Sequence, residues 1–273
     1  MKDAHIKRCK WLGTGLALFL LAGFADAADR STQTTAEAFD LESGELLYRE
    51  VHCVNADVSE REVFYQGKDG ELLARKLVDY RPGATTPAFE QQNFYSSETI
   101  RVGLEQGKVK MEIVDTASLE PRSAVAVQPG AGLPVVIDAG FDAFVREHWD
   151  ELVAGDNREF QFPFADRESL VELRIGRLGC SYDSVTDQCF RLDLANWFLR
   201  MVVAPIELGY DPDSRRLVRY RGLSNIGDAN GNGLIVDLRY DYRNVPRDAC
   251  AVIQQQLAND SATMPYGRLA INN

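Results

Sequence analysis

Residues 46–80, LLYREVHCVNADVSEREVFYQGKDGELLARKLVDY, decide the fold. Three runs, Leu46 to Val54, Arg61 to Tyr65 and Leu72 to Tyr80, are rich in β-branched, aromatic and alternating residues. Turn formers separate them, most clearly Lys68-Asp69-Gly70, and this combination predicts strands joined by tight turns. The pattern extends outward through Phe89 to Tyr95, Thr99 to Leu104 and Lys108 to Val114. Turn signals spaced by about 8–12 residues predict an antiparallel meander.

Beyond that meander, residues 116–134 hold Pro121, Pro129, Gly130, Gly132 and Pro134, which predict a crossing loop or a weak domain boundary. One strong helix pattern follows. Asp138 is placed to cap it. Phe141, Phe144, Val145, His148, Trp149 and Leu152 fall on one face, and Gly155 is placed to end it. Strand patterns resume at Arg158 to Phe164, Leu170 to Ile175, Phe190 to Leu194, Trp197 to Val203, Leu217 to Leu223 and Leu234 to Tyr242. Pro205 marks an edge or a bulge. Asp248 to Leu257 suits a short helix. The fold expected is α+β and mainly β: a curved antiparallel sheet or half-barrel packed against one amphipathic helix.

The N-terminus reads as an export signal. Lys2, Lys7, Arg8 and Lys10 precede the 14-residue apolar run Trp11 to Phe24, and Ala25-Asp26-Ala27 supplies a small-residue cleavage site. That run is shorter than the roughly 20 residues of a permanent membrane span. The expected organisation is a signal peptide at 1–27, a flexible leader at 28–37, a single β-rich domain at 38–257 and a tail at 258–273. The product is expected in the periplasm or secreted, after cleavage near Ala27, with no membrane span in the mature chain.

Charge narrows the partners. The chain has 30 Lys+Arg against 41 Asp+Glu, a net charge of −11. Removing residues 1–27 takes four basic and two acidic residues, leaving a mature chain of 26 and 39, net −13. An acidic surface without a basic run repels phosphate backbones, so nucleic acid is excluded as a partner.

Five cysteines become four once Cys9 is assigned to the signal peptide: Cys53, Cys180, Cys189 and Cys250. An even number in an oxidising compartment points to two disulfides, with three connectivities open. Cys180 and Cys189 flank a polar turn-like stretch and suit pairing with each other, which would leave Cys53 to tie the first strands to Cys250 near the C-terminus. Zinc is disfavoured, because no C-x-x-C pair exists and the mature chain has two histidines.

No catalytic constellation emerges. Asp228, Asn230 and Asn232 open a calcium-loop pattern, D-x-N-x-N-G, but Arg239 stands where the closing bidentate carboxylate belongs. The same Asn and Gly residues serve a hairpin turn, so no cofactor is expected, with calcium the one candidate. His148, on the apolar stripe, is a candidate base or a packed histidine. His52 beside Cys53 makes a poor nucleophile pair, since neighbours on a strand face opposite ways. Gly222 to Gly227 has the spacing G-x-S-x-x-G, not that of a nucleophile elbow. Aromatics sit in nearly every strand (Tyr48, Tyr65, Phe160, Phe190, Tyr220 and Tyr240 among them) and either fill a core or line a cavity.

Three stretches, SGELLYREVH (43–52), DGELLARKLVDY (69–80) and RRLVRYRGLSNIGD (215–228), resemble those of uncharacterised exported bacterial proteins. The order of elements over residues 38–242 is similar to the curved half-barrel of periplasmic lipoprotein carriers of the LolA and LolB type. That resemblance implies an open apolar concavity for an acyl chain or another hydrophobic ligand. The function expected is therefore non-enzymatic binding of an apolar small molecule such as a lipid. The alternatives are an assembly factor pairing with an envelope protein, or a secreted hydrolase using carboxylates and His148.

Overall fold

The computed structural model describes residues 33–55, 57–184, 186–196, 204–228, 232–243 and 248–263. Fourteen strands form one antiparallel sheet: β1 (Gln33–Asp40), β2 (Leu46–Val54), β3 (Glu60–Gly67), β4 (Leu72–Asp79), β5 (Ala88–Asn93), β6 (Glu98–Glu105), β7 (Lys108–Asp115), β8 (Pro121–Val127), β9 (Arg158–Phe164), β10 (Ser169–Leu178), β11 (Gln188–Leu194), β12 (Ile206–Asp211), β13 (Arg216–Gly227) and β14 (Gly233–Asp241). Each strand pairs with its sequence neighbours except at two points. β1 pairs with β14, and β8 and β9 are left as the two edges. The sheet is open but curls until its edges approach. Pro134 to Val136 runs beside β9, with Val136 N–H donating to the Gln161 carbonyl and Gln161 N–H to the Pro134 carbonyl, both within 2.9 Å. The Gln161 side chain donates to the Gly130 and Leu133 carbonyls at 3.0 Å.

The helix pattern folds into two pieces, α1 (Gly140–Glu147) and α2 (Trp149–Ala154), with a break at His148, φ −100° and ψ 18°. The His148 ring packs on Phe144 at 4.6 Å at that break. Phe144, Val145, Trp149 and Leu152 bury their side chains against Phe160, Leu173, Ile175, Phe190, Leu208 and Tyr210 of β9 to β12. Trp149 meets Phe190 and Tyr210 edge-on at 5.4 and 5.7 Å. Each such side chain contributes roughly 1.5–3 kcal/mol on burial. Gly155 ends α2 in the left-handed conformation, as expected. Asp138 does not cap the helix. The cap position is Ala139, without a side-chain bond, because the Asp138 carboxylate is held by the buried ammonium of Lys76 at 2.5 Å.

A third helix, α3 (Ala249–Thr263), lies on the opposite face of the sheet. Cys250 and Ile253 pack there on Val51, Cys53 and Phe64 of β2 and β3. Disulfides join Cys53 to Cys250 and Cys180 to Cys189.

Several boundaries differ from expectation. β1 begins at Gln33, inside the stretch read as a flexible leader over 28–37. Its inward residues Ala36 and Ala38 are fully buried but small, so the alternation is faint. Residues 116–134 contain β8, an edge strand, where a crossing loop or weak boundary was expected. α3 runs to Thr263, into the predicted tail at 258–273. The stretch expected to be a signal peptide and the strand expected at Trp197 to Val203 lie outside the described residues.

Candidate functional site

Register identifies what faces the inside of the curl, because residues paired across neighbouring strands share a face. One inward row runs Tyr65, Glu50, Ala36, Tyr240 across β3, β2, β1 and β14. The next runs Tyr48, Ala38, Leu238, Tyr220. A third runs His52, Val63, Lys76, Gln91 across β2 to β5. Four tyrosines and the ionisable Glu50, His52 and Lys76 therefore converge on the interior, where charge is costly unless paired.

The pairing is specific. His52 Nε2 lies 2.8 Å from Glu50 Oε2, with both residues buried. Lys76 Nζ donates to Asp138 Oδ1 at 2.5 Å and lies 4.6 Å from the centre of the Phe89 ring. The Lys76 side chain is 3% exposed and that of Asp138 18%. Asp142, one turn into α1, pairs with Arg146 at 2.9 Å; its carboxyl pKa is raised by burial, partly offset by Arg146 and Arg61.

A strap crosses one end of the interior. β13 loses register with β14 between Leu223 and Gly227. The tyrosine hydroxyls hold this irregular stretch. Tyr220 donates to the Leu223 carbonyl at 2.5 Å, and Tyr48 shares a hydrogen bond with Ser224 Oγ at 2.8 Å. Asn225 Nδ2 donates to the Tyr65 hydroxyl at 2.9 Å, and Gln91 Nε2 to the Asn225 carbonyl at 2.8 Å. Tyr95 donates to the Gly227 carbonyl. Burial, and then the nearby Glu50 charge, raise the pKa of Tyr48, Tyr65, Tyr220 and Tyr240. Tyr220 and Tyr240, which share the inner face, are partly buried as residues.

The outer face carries a different chemistry. Arg219 grips Asp237 with two bonds of 2.6 Å, Arg239 reaches the same carboxylate at 2.9 Å, and Arg221 pairs with Glu207 at 3.3 Å. Arg219 also stacks on Tyr182 at 3.9 Å. Charges at this density belong against water, since each is expensive against lipid. An open depression of about 480 Å³ borders the Cys180–Cys189 hairpin, lined by Arg177, Ser184, Asp187 and Gln188. It is polar and unlike the apolar clefts that hold small molecules.

The residues singled out from sequence scatter. His148 Nδ1 bonds Glu151 Oε2 at 2.8 Å at the surface, with Arg158 on the same carboxylate, far in kind from an enclosed base. Asp228 accepts from the Asn232 backbone at 2.8 Å and from its side chain at 3.0 Å, which closes the hairpin turn; Asn230 lies outside the described residues. Asp237, two residues before Arg239, is committed to Arg219 and Arg239. Among the described residues no three His, Cys, Asp or Glu side chains group for a metal. His52 and Cys53 face opposite ways, the first inward and the second into its disulfide. Among the described residues no helix is long and apolar enough to cross a membrane.

Sequence comparison finds no matching family model and no matching curated protein. Among solved structures, the chain is similar to a β-barrel-like protein of the domain of unknown function DUF1849 from Brucella abortus. The two share 9% identity at a TM-score of 0.40, over 78% of this chain and 98% of that one.

Proposed function

We propose that this is an exported, non-enzymatic binding protein that holds a small ligand with an apolar body in the inner space of its curled sheet. The observation that carries the reading is the convergence of Glu50, His52 and Lys76 with four tyrosines on the buried inner face. A barrel built only for stability does better with apolar residues there, since buried ion pairs are often neutral or unfavourable for folding. A few polar groups in an aromatic surround are instead what orients a ligand. The two disulfides suit an oxidising compartment, in keeping with the export signal.

The test is native mass spectrometry of mature protein purified from the periplasm without detergent. A mass above the two-disulfide chain, shed on denaturation, is expected. A bare chain that also gains no mass when incubated with cell-envelope extracts would overturn the reading.

A second reading has an observation of its own. The buried Glu50–His52 contact of 2.8 Å is the geometry of a carboxylate that orients an imidazole base. It predicts turnover of a co-purified compound that disappears in His52→Gln while that compound still binds.

A further inference from the structure

The two disulfides sit in unlike surroundings. Cys53 and Cys250 are buried together under α3 with Val51, Phe64 and Ile253, and neither sulfur has an oxygen acceptor among the described residues. Cys180 is only partly buried, and with Cys189 it borders the open, polar depression of about 480 Å³ on the hairpin. A thiolate arriving from solvent has a route to the Cys180 sulfur, whereas Cys189 is 1% exposed.

Each sulfur of this second pair also faces an oxygen. The Cys180 sulfur lies 3.5 Å from the Asp187 carbonyl oxygen, and the Cys189 sulfur lies 3.4 Å from the Tyr182 hydroxyl oxygen. A disulfide sulfur has no hydrogen to donate, so both acceptors stand idle toward it, but a thiol S–H can use them. The Tyr182 hydroxyl itself donates to Asp187 Oδ2 at 2.8 Å, so a Cys189 thiol completes a chain from sulfur to phenol to carboxylate. Burial, and then the Asp187 carboxylate, raise the Tyr182 pKa and keep the proton on the phenol.

The cysteines are also held by contacts other than the sulfur bond. Leu178 pairs with Cys189 in the β10–β11 ladder, and the Ser181 N–H donates to Glu207 Oε1 at 2.6 Å. The Tyr182 ring stacks with Arg219 at 3.9 Å and closes over Gly209, where its hydroxyl leaves no room for a Cβ. Opening the bond leaves all of these contacts in place.

We propose that Cys180–Cys189 is a redox-active pair, opened and re-formed by thiol–disulfide exchange with a small dithiol through this depression, while Cys53–Cys250 stays closed. One thiolate of the dithiol attacks Cys180 Sγ; the S–S bond breaks, and its electron pair leaves on Cys189 Sγ, which takes a proton. The second thiolate of the dithiol then attacks the dithiol's own sulfur in the mixed disulfide, and Cys180 leaves and takes the second proton. The dithiol is oxidised to a cyclic disulfide, and the protein gains two electrons and two protons.

The probe is dithiothreitol, applied to the oxidised mature protein without denaturant, with maleimide quenching and peptide mass mapping. Cys180 and Cys189 should become labelled about tenfold or more faster than Cys53 and Cys250, with the near-ultraviolet circular dichroism retained. Tyr182→Phe keeps the ring but removes the oxygen facing Cys189. At fixed ratios of reduced to oxidised dithiothreitol, it should shift the equilibrium about fivefold toward the disulfide. Equal labelling of the two pairs, earlier labelling of Cys53 and Cys250, or loss of the dichroism when only Cys180 and Cys189 are reduced overturns the proposal. So does an unchanged equilibrium in Tyr182→Phe; the rate contrast in the parent decides the matter if that variant fails to fold.

Discussion

The Lys76–Asp138 pair ties β4 to the segment entering α1, and its two members should respond unequally to loss of the other. Lys76 is 3% exposed and Asp138 18%. Asp138→Asn keeps the shape, an acceptor oxygen and tolerance for the left-handed backbone at φ 43°. It removes the charge opposite an ammonium that is almost wholly buried. Breaking a buried pair this way typically costs about 3–5 kcal/mol, and the retained acceptor puts the expectation near the lower end, about 3 kcal/mol. Lys76→Met keeps the stem volume and fills apolar space beside Phe89, leaving a carboxylate that can turn toward solvent; about 1–2 kcal/mol is expected. The double variant should lie within about 1 kcal/mol of the parent, so the coupling energy should exceed about 2 kcal/mol. Urea unfolding of the oxidised protein, followed by tyrosine and tryptophan fluorescence, reads all four corners of the cycle. Equal cost for the two single variants, or a coupling below about 0.5 kcal/mol, would refute the claim that burial of Lys76 dictates the pair.

Other consequences are simpler to state. The Cys53–Cys250 disulfide spans a separation of 197 residues and the Cys180–Cys189 one a separation of 9. The chain-entropy model then gives up to ~5 and ~3 kcal/mol for their loss. Alanine replacement of both cysteines in each pair should reproduce that order in guanidinium midpoints, and the reverse order would refute it. At Gly140 an added Cβ would sit 2.2 Å from the Thr85 carbonyl oxygen. Gly140→Ala should therefore cost roughly 1–3 kcal/mol and lower the Tm, while an unchanged Tm would show that α1 does not press on that loop as described. Asp142 has a raised carboxyl pKa, so the folded state favours its protonated form. That contribution is complete below the ordinary aspartate range and is lost as pH rises through the raised value. Asparagine mimics the protonated acid at every pH. Asp142→Asn should thus gain on the parent between pH 3 and pH 7, and a stability difference flat across that window would exclude the effect.

Much of the sheet was legible because its strands alternate strongly. The runs read as Leu46 to Val54 and Arg158 to Phe164 coincide with β2 and β9. In β14, Leu238 and Tyr240 face inward while Asp237 and Arg239 form the outer ion pairs, as alternation requires. The strands that escaped have physical reasons. β1 packs inward through Ala36 and Ala38, and β8 begins at Pro121 and serves as an edge. β12 follows Pro205, which marked an edge, yet it lies between β11 and β13 because the proline precedes the first ladder bond. The helix stripe was legible but its break was not, since nothing in the periodicity distinguishes His148 from its neighbours. The inner cluster was hidden more deeply. On a strand, Glu50, His52 and Lys76 read as solvent-facing. Only long-range register, which links β2 to β14 through β1, reveals that their row belongs to the inside. The one local clue is that β2 is not cleanly amphipathic: Val51 and Cys53 alternate with Tyr48, Glu50 and His52, so both faces carry residues that demand burial.

That double burial bears on how the site is held. The outer face of β2 and β3 presents Val51, Cys53 and Phe64 to α3, and the Cys53–Cys250 disulfide fixes the helix there. The inner face of the same strands carries Glu50, His52 and Tyr65. A strand covered on both sides has little freedom to slide or flex, and a polar group borrowed for recognition must be held to within a fraction of an ångström to discriminate. The disulfide half-cystine adjoins His52 in sequence, so the covalent clamp and the carboxylate–imidazole pair sit on opposite sides of one peptide. The opposite wall is arranged differently. There α1 and α2 fill the interior against β9 to β12 with Trp149, Phe144 and Leu152, and the polar groups within that packing include Tyr210 and the Asp142 carboxylate. The interior thus has a mainly apolar half filled by the helix pair and a tyrosine-rich half carrying Glu50, His52 and Lys76, backed by α3. The strands of the polar half are the ones covered on both faces, which is what the proposed binding role requires of groups that orient a ligand.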